Sequence, residues 1–208
     1  AHRGASAQYP EMTDTAYLAA VEQEADGFEC DLRLSRDEVP LLWHNASMME
    51  RAGNPGLIAE MTFAEIKIAC PQILTLDDFL DLALAHKKGV LIETKHPVIS
   101  GNRVEEIVVE RIQERKVLAE IAVTVMSFSW SAVEKMKRLD PSIPTTFLMG
   151  PRTLWPQVRF SSARTIAPSI EQVRRNPELV GRIKESGRSV AIWTVDDGRD
   201  VEMCKELG

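Results

Sequence analysis

Apolar positions along the chain recur with two periods, and the switching between them predicts the order of elements. The run Gly27-Phe28-Glu29-Cys30-Asp31-Leu32-Arg33-Leu34-Ser35 alternates with period two. It reads as a strand with Glu29 and Asp31 on one face and Phe28, Cys30 and Leu32 on the other. Before it, Ala16, Tyr17, Ala20 and Val21 mark one side of a helix starting near residue 13. After it, Asp37-Glu38 is a turn, and Val39-Pro40-Leu41-Leu42-Trp43 is a second short strand ending at His44, so the two strands form a hairpin. Residues 45–74 are less regular. Met48, Met49, Gly53, Asn54, Pro55 and Gly56 mark a loop excursion, followed by a short helix near residues 63–68. Thr75-Leu76-Asp77-Asp78 starts a helix in the manner of a capping box. Leu76, Phe79, Leu80, Ala83 and Leu84 continue it at helical spacing, and Gly89 is expected to close it.

Beyond Gly89 the alternation is regular. Strands are predicted over residues 90–95, 121–128, 145–149, 165–168 and 189–195, and helices over 102–115, 131–139, 177–187 and 199–207. Asn176-Pro177 is expected to cap the third of these helices. Strands alternating with helices mean a parallel α/β architecture. A first strand ending at His2 and an eighth following Gly208 would complete a (β/α)₈ TIM barrel whose first and last strands are clipped, as one domain over residues 1–208. An open doubly wound sheet is the alternative, but no glycine-rich phosphate loop follows any strand.

Composition narrows the function classes. The 208 residues carry a net charge of -6 with no basic run, which argues against a nucleic-acid surface. No apolar run is long enough for a transmembrane segment, and no signal-peptide pattern is visible. Cys30, Cys70 and Cys204 are scattered and odd in number, which suits neither disulfide staples nor a zinc cluster and favours a reducing, cytoplasmic setting over secretion. The chain opens on Ala-His-Arg-Gly without a Met, as a portion of a longer chain would.

In a barrel of this kind, reacting groups sit at the carboxyl ends of strands. His2 and Arg3 would end the first strand, Glu29 and Asp31 lie on the second, and His44 ends its hairpin partner. Glu93 and Lys95 share a face of the third, and Trp193 lies on the seventh. Alone, the Glu29–Asp31 pair is an ordinary acidic strand face. With Glu93 it becomes a three-carboxylate oxygen site, suited to Mg²⁺ or Ca²⁺. Arg3 and Lys95 supply positive charge for a phosphate group. His2 and His44 titrate near neutrality and can serve as base and acid. Together these groups describe phosphoryl transfer. His86 near a helix end and His96, pointing away from Glu93 and Lys95, read as structural. Cys30 reads as packing, and Glu105-Glu106 as a solvated helix face.

These residues resemble the signature of the glycerophosphodiester phosphodiesterases. That family carries His-Arg-Gly, Pro-Glu-Asn, Glu-x-Asp, His-Asp, Glu-x-Lys and a late Trp-Thr. Here they stand as His2-Arg3-Gly4, Pro10-Glu11-Met12, Glu29-Cys30-Asp31, His44-Asn45, Glu93-Thr94-Lys95 and Trp193-Thr194. Leu74-Thr75-Leu76-Asp77-Asp78 resembles the family's lead-in to its second barrel helix. The resemblance implies a (β/α)₈ barrel with a small insertion after strand 2, at about residues 45–74. It also implies hydrolysis of a glycerophosphodiester, a small-molecule substrate, to an alcohol and sn-glycerol 3-phosphate. Glu29, Asp31 and Glu93 would hold the divalent ion, Arg3, Lys95 and Trp193 would bind phosphate and substrate, and His2 (base) and His44 (acid) would form the acid–base pair. Met12 and Asn45 depart from the family's asparagine and aspartate. Met12 lacks an amide's hydrogen bonds, and Asn45 carries no charge to support a protonated His44. A lysophospholipase D- or sphingomyelinase D-like lipid phosphodiesterase, which would want a more apolar mouth, and a non-catalytic phosphodiester-binding protein are the alternatives.

Overall fold

The alternation at residues 27–35 becomes β1 (Gly27–Leu34), buried along almost its whole length. The computed structural model describes residues 1–208, whose contacts define two compact units, Ala1–Val125 and Met126–Gly208. In the first unit, α1 (Asp14–Glu22) is capped by the Thr13 side chain and lays Ala16, Tyr17, Ala19 and Ala20 inward. The Tyr17 ring packs on Phe28 and Phe79, with centroids 5.1 and 5.0 Å away, and its hydroxyl donates to the Glu29 carbonyl. Each such ring pair contributes about 0.5–1.5 kcal/mol beyond its buried area.

The expected hairpin is present: β2 (Pro40–Leu42) pairs antiparallel with β1, Leu32 opposite Leu42. The irregular stretch that follows holds α2 (Met49–Ala52), a 3₁₀ turn at Ile58–Glu60 and α3 (Phe63–Ala69). It has a small core of its own, in which Met48, Ile58, Ile66, Cys70 and Ile73 pack with Leu41 and Trp43. The helix α4 (Leu76–Ala85) begins with a full capping box between Thr75 and Asp78. Thr75→Ala removes one half of that box and is expected to lower the unfolding free energy by about 1 kcal/mol, read as a lower urea midpoint at unchanged slope.

Two boundaries differ clearly from the expectation: the strand expected over residues 189–195 spans only Ser189–Val190, which leaves Trp193 beyond it in an isolated bridge to Ser169, and α4 ends before Gly89. The helix α4 ends at Ala85 with His86 as its C-cap, and Gly89 opens β3 (Gly89–Thr94) instead of closing the helix. Gly89 pairs with Gly27 across the two strands, and the close approach there requires the glycine at 27, where a Cβ would lie 2.7 Å from the Gly89 carbonyl oxygen. The strand β3 runs parallel to β1, and His2 makes a further parallel bridge to Glu29. Next come α5 (Arg103–Glu114) and β4 (Val123–Ser127). A further correction concerns α5. Glu105 is fully buried, not solvated, because His96 Nε2 reaches its carboxylate at 2.9 Å. Cys30 is buried in the core, as expected.

The second unit continues the alternation with α6 (Trp130–Leu139), β5 (Thr145–Leu148), α7 (Trp155–Phe160), β6 (Thr165–Ala167), α8 (Ile170–Arg175), α9 (Glu178–Glu185), β7 (Ser189–Val190) and α10 (Gly198–Glu206). β5, β6 and β7 are parallel neighbours. Their helices close over Val133, Phe147, Val158, Ile166, Leu179 and Ile183. α7 and α8, each six residues long, were not expected from the sequence. Pro177 caps α9 as expected, while Asn176 instead ends α8. No helix in the chain is long and apolar enough to cross a membrane.

Candidate active site

Period-two alternation on β1 and the β1–β3 register together build an acidic centre. Asp31 lies directly opposite Glu93, and Glu29 stands two residues earlier on the same face. One carboxylate oxygen from each of Glu29, Asp31 and Glu93 lies within 4.8 Å of the others, and all three side chains are buried. Burial pushes the Glu29 carboxyl well above its ordinary value, and Asp31 and Glu93 push it further. Burial also raises Glu93; Lys95 opposes this and Asp31 adds to it. Burial disfavours the Asp31 carboxylate as well, but Lys95 and Arg3 outweigh that and hold it below the usual range.

The two cations converge on Asp31. Lys95 Nζ lies 2.9 Å from Asp31 Oδ1 and 2.6 Å from Glu93 Oε1. Arg3 Nε lies 2.8 Å from Asp31 Oδ2, yet off the hydrogen-bonding direction, so both buried atoms keep an unused hydrogen-bonding valence. The Arg3 backbone N–H donates to Glu29 Oε2 at 3.0 Å. Gly4 follows at φ +79°, where a Cβ would collide with the Ala16 backbone 2.7 Å away; this is why a glycine stands after His2-Arg3. His2 Nε2 is 3.8 Å from Glu29 Oε2. With all three carboxyls ionised, two cations leave one negative charge in excess, which is why burial and mutual repulsion keep Glu29 and Glu93 protonated above their ordinary range. An all-oxygen donor set with an orphaned Asp31 lone pair fits a hard divalent cation.

His44 follows β2, whose neighbour Trp43 donates its backbone N–H to the Asp31 carbonyl at 2.9 Å. Burial lowers the His44 pKa and Lys95 lowers it further, against the pull of Asp31. His2, Arg3, Glu29, Asp31, His44, Glu93 and Lys95 all belong to the first unit. Trp193 belongs to the second, where its ring meets Phe128 edge-on at 5.2 Å and its Nε1 donates to the Ala167 carbonyl at 2.8 Å. Its indole donor is therefore already engaged. Beside Lys95 the first unit also has a cavity of about 570 Å³, walled largely by apolar residues including Leu57, Pro97, Val98 and Ile99, with Arg33 on its lining.

Residues 2–208 match the glycerophosphoryl diester phosphodiesterase family. The chain belongs to that family. A probable glycerophosphodiester phosphodiesterase 1 of Mycobacterium tuberculosis is 34% identical over 233 residues, covering 100% of this chain and 85% of that protein. A glycerophosphodiester phosphodiesterase of Caldanaerobacter subterraneus is 28% identical, covering 100% and 89%. Among solved structures, a phosphodiesterase from Oleispira antarctica in complex with the product sn-glycerol-3-phosphate matches with a TM-score of 0.84 at 22% identity, covering 100% of this chain and 88% of that one. A glycerophosphodiester phosphodiesterase from Thermotoga maritima matches with a TM-score of 0.83 at 20% identity, covering 99% and 89%. The fold is the expected α/β TIM barrel, and this glycerophosphoryl diester phosphodiesterase family member is an enzyme of the expected class.

Within the family's pattern, both departures have structural substitutes. Met12 is buried at φ +52°, and its Sδ accepts the Asp31 backbone N–H at 3.4 Å, a weak bond where an asparagine could place an amide. Asn45 Oδ1 lies 2.9 Å from His44 Nδ1, and Asn45 Nδ2 donates to Glu50 Oε2. Three supporting residues were not singled out from the sequence. Glu11 holds Arg3 Nη1 at 2.8 Å. Arg51 lies over the Trp43 ring at 4.5 Å, its Nη1 3.9 Å from Glu11 Oε1. Glu50 is the third. Glu11 stands inside a quoted motif and could have been found there; Glu50 and Arg51 sit in the irregular stretch, where no periodicity points at them.

Proposed function

We propose that this chain hydrolyses glycerophosphodiesters to an alcohol and sn-glycerol 3-phosphate, as one catalytic barrel domain over residues 1–208. The observation that carries the reading is the convergence of Glu29, Asp31 and Glu93 within 4.8 Å, with Lys95 and Arg3 both within 3 Å of Asp31. The product found with the Oleispira antarctica relative supports the same substrate class.

Glu29, Asp31 and Glu93 would hold the divalent cation, Mg²⁺ or Ca²⁺ by the hardness of the donors. When bound, that ion supplies Lewis-acid charge for the phosphoryl oxygens. Arg3 and Lys95 supply the remaining positive charge around the phosphate. One histidine of the pair His2 and His44 takes the proton of the glycerol 2-hydroxyl, whose oxygen then bonds to phosphorus. The other gives a proton to the departing alcohol oxygen as its bond to phosphorus breaks. Water then opens the cyclic phosphate, with the two histidines acting in reversed roles. Free thiols at Cys30, Cys70 and Cys204 suit a reducing, cytoplasmic setting.

The apolar cavity beside Lys95 favours a second reading, in which the substrate is a lysolipid and the acyl chain lies along Leu57, Val98 and Ile99. One assay separates the two. Purified protein with Mg²⁺ or Ca²⁺ is given glycerophosphocholine or lysophosphatidylcholine, and phosphate products are identified by mass. Glycerol 3-phosphate from the first substrate, stopped by EDTA, is the expected result. Turnover of the lysolipid alone would replace it by the second reading, and activity that survives EDTA would remove the cation.

A further inference from the structure

We propose that Glu50 is a positioning residue that acts through Asn45: it fixes His44 as the imidazole protonated on Nδ1 and so makes Nε2 the proton acceptor of the reaction. The catalytic half of this inference rests on the function proposed above; the tautomer half does not.

Donor and acceptor chemistry fixes the orientation of each group. A glutamate carboxylate only accepts hydrogen bonds, so the side of Asn45 facing Glu50 Oε2 has to be the amide nitrogen. The amide oxygen is thereby turned toward His44, where it lies 2.9 Å from Nδ1. An amide oxygen also only accepts, so Nδ1 has to carry a proton. A neutral imidazole has one such proton, and its lone pair is then on Nε2. The three side chains form a directed chain, carboxylate to amide to imidazole, with one permitted arrangement of protons. Glu50 sits in the first turn of α2, immediately after the loop that Trp43 braces by donating Nε1 to the Ser47 carbonyl at 3.0 Å. Arg33 Nε holds the His44 carbonyl at 2.9 Å, which fixes the main chain from the other side.

Two consequences follow. The negative charge that the family's pattern keeps beside this histidine is moved one amide further out, from position 45 to Glu50. And a His44 held neutral with its lone pair on Nε2 is the base of the first step, which leaves His2 as the acid. This reverses the order expected from the sequence.

The test uses full-length protein labelled with ¹⁵N on histidine, at a pH where the imidazole is neutral. Wild type is expected to give a protonated Nδ1 and an unprotonated Nε2 for His44. Glu50→Gln replaces the obligate acceptor by a group that can also donate, so the Asn45 amide is no longer forced. It is expected to give a mixture of tautomers and to lower kcat by about 10–100-fold with KM within about twofold. The double variant Asn45→Asp with Glu50→Gln gives Nδ1 a direct acceptor again, and is expected to restore the tautomer and most of kcat. A single Nδ1-protonated tautomer and unchanged kcat in Glu50→Gln would overturn the proposal. So would a wild-type His44 protonated on Nε2. Wild type inert toward glycerophosphodiesters would remove the proposed function, while the tautomer spectra would still decide whether Glu50 orients His44.

Discussion

Alanine at His44 or at His2 is expected to lower kcat on glycerophosphocholine by about 10²–10⁴-fold, the range that loss of one general acid or base gives. The loss should be chemical and not structural. Arg33 bonds the His44 backbone carbonyl, which alanine keeps, and the His2 side chain is 47% exposed. Circular dichroism and the thermal midpoint are therefore expected to stay close to wild type in both variants. The two losses should also differ in kind. If His44 is the base and His2 the acid, a glycerophosphodiester with p-nitrophenol as leaving group needs no proton from His2. Followed as single-turnover release of p-nitrophenol, before the ring opening in which His2 is the base, the His2→Ala loss on that substrate is expected to shrink to about 10-fold or less, while the His44→Ala loss persists. The opposite pattern would restore the order expected from the sequence alone and would remove His44 as the base.

Much of this site was legible because strand geometry leaves little choice. Period two put Glu29 and Asp31 on one face, and a parallel neighbour carrying Glu-x-Lys could only bring Glu93 beside Asp31 or one step away from it. The elements that escaped are those without a long period. The six-residue helices α7 and α8 have under two turns in which to show one. Glu105 looked like one of two solvated acids. Its burial depends on His96, nine residues earlier, returning to pair with it, which is a tertiary fact. The same holds for Gly89, read as a helix end from local context and in fact the first residue of β3, paired with Gly27, a partner 62 residues away (89 minus 27). Met12 and Asn45 were legible as departures, but their replacements were not. The Met12 sulfur on the Asp31 amide and the Glu50 carboxylate behind Asn45 are brought to the site by a loop and by the single-turn helix α2, which no pattern encodes.

The acidic centre gives the other large effect, in stability. The carboxyls of Glu29 and Glu93 titrate above their ordinary value of 4.5 in the folded chain, Glu29 up to about 8 and Glu93 up to about 7. Between 4.5 and those values the folded state holds protons that the unfolded chain has released. Their contribution is therefore fully present below about 4.5 and is lost as pH rises through the raised values. In chelator, the thermal midpoint is expected to fall as pH is raised over this window. A divalent cation held by Glu29, Asp31 and Glu93 as proposed would reverse the trend by pairing with the ionised carboxylates. At one hundred times its dissociation constant it contributes about 2.7 kcal/mol, or roughly 5–11 °C for a chain of this size. Glu29→Gln removes the most strongly repelled charge. It is expected to melt above wild type in chelator at pH 8 and to lose the rise on adding Mg²⁺ or Ca²⁺. Asp31→Asn loses the same rise but should move the other way in chelator, about 3 kcal/mol less stable, because it takes a carboxylate from between Arg3 and Lys95. Two ligands of one ion, equal in what they do to cation binding and opposite in what they do to the metal-free fold, are a sharper signature than inhibition by EDTA. A surface acidic patch would give neither the cation-dependent rise nor the difference in sign. A wild-type midpoint indifferent to both pH and cation between pH 5 and 8 would remove the metal from Glu29, Asp31 and Glu93.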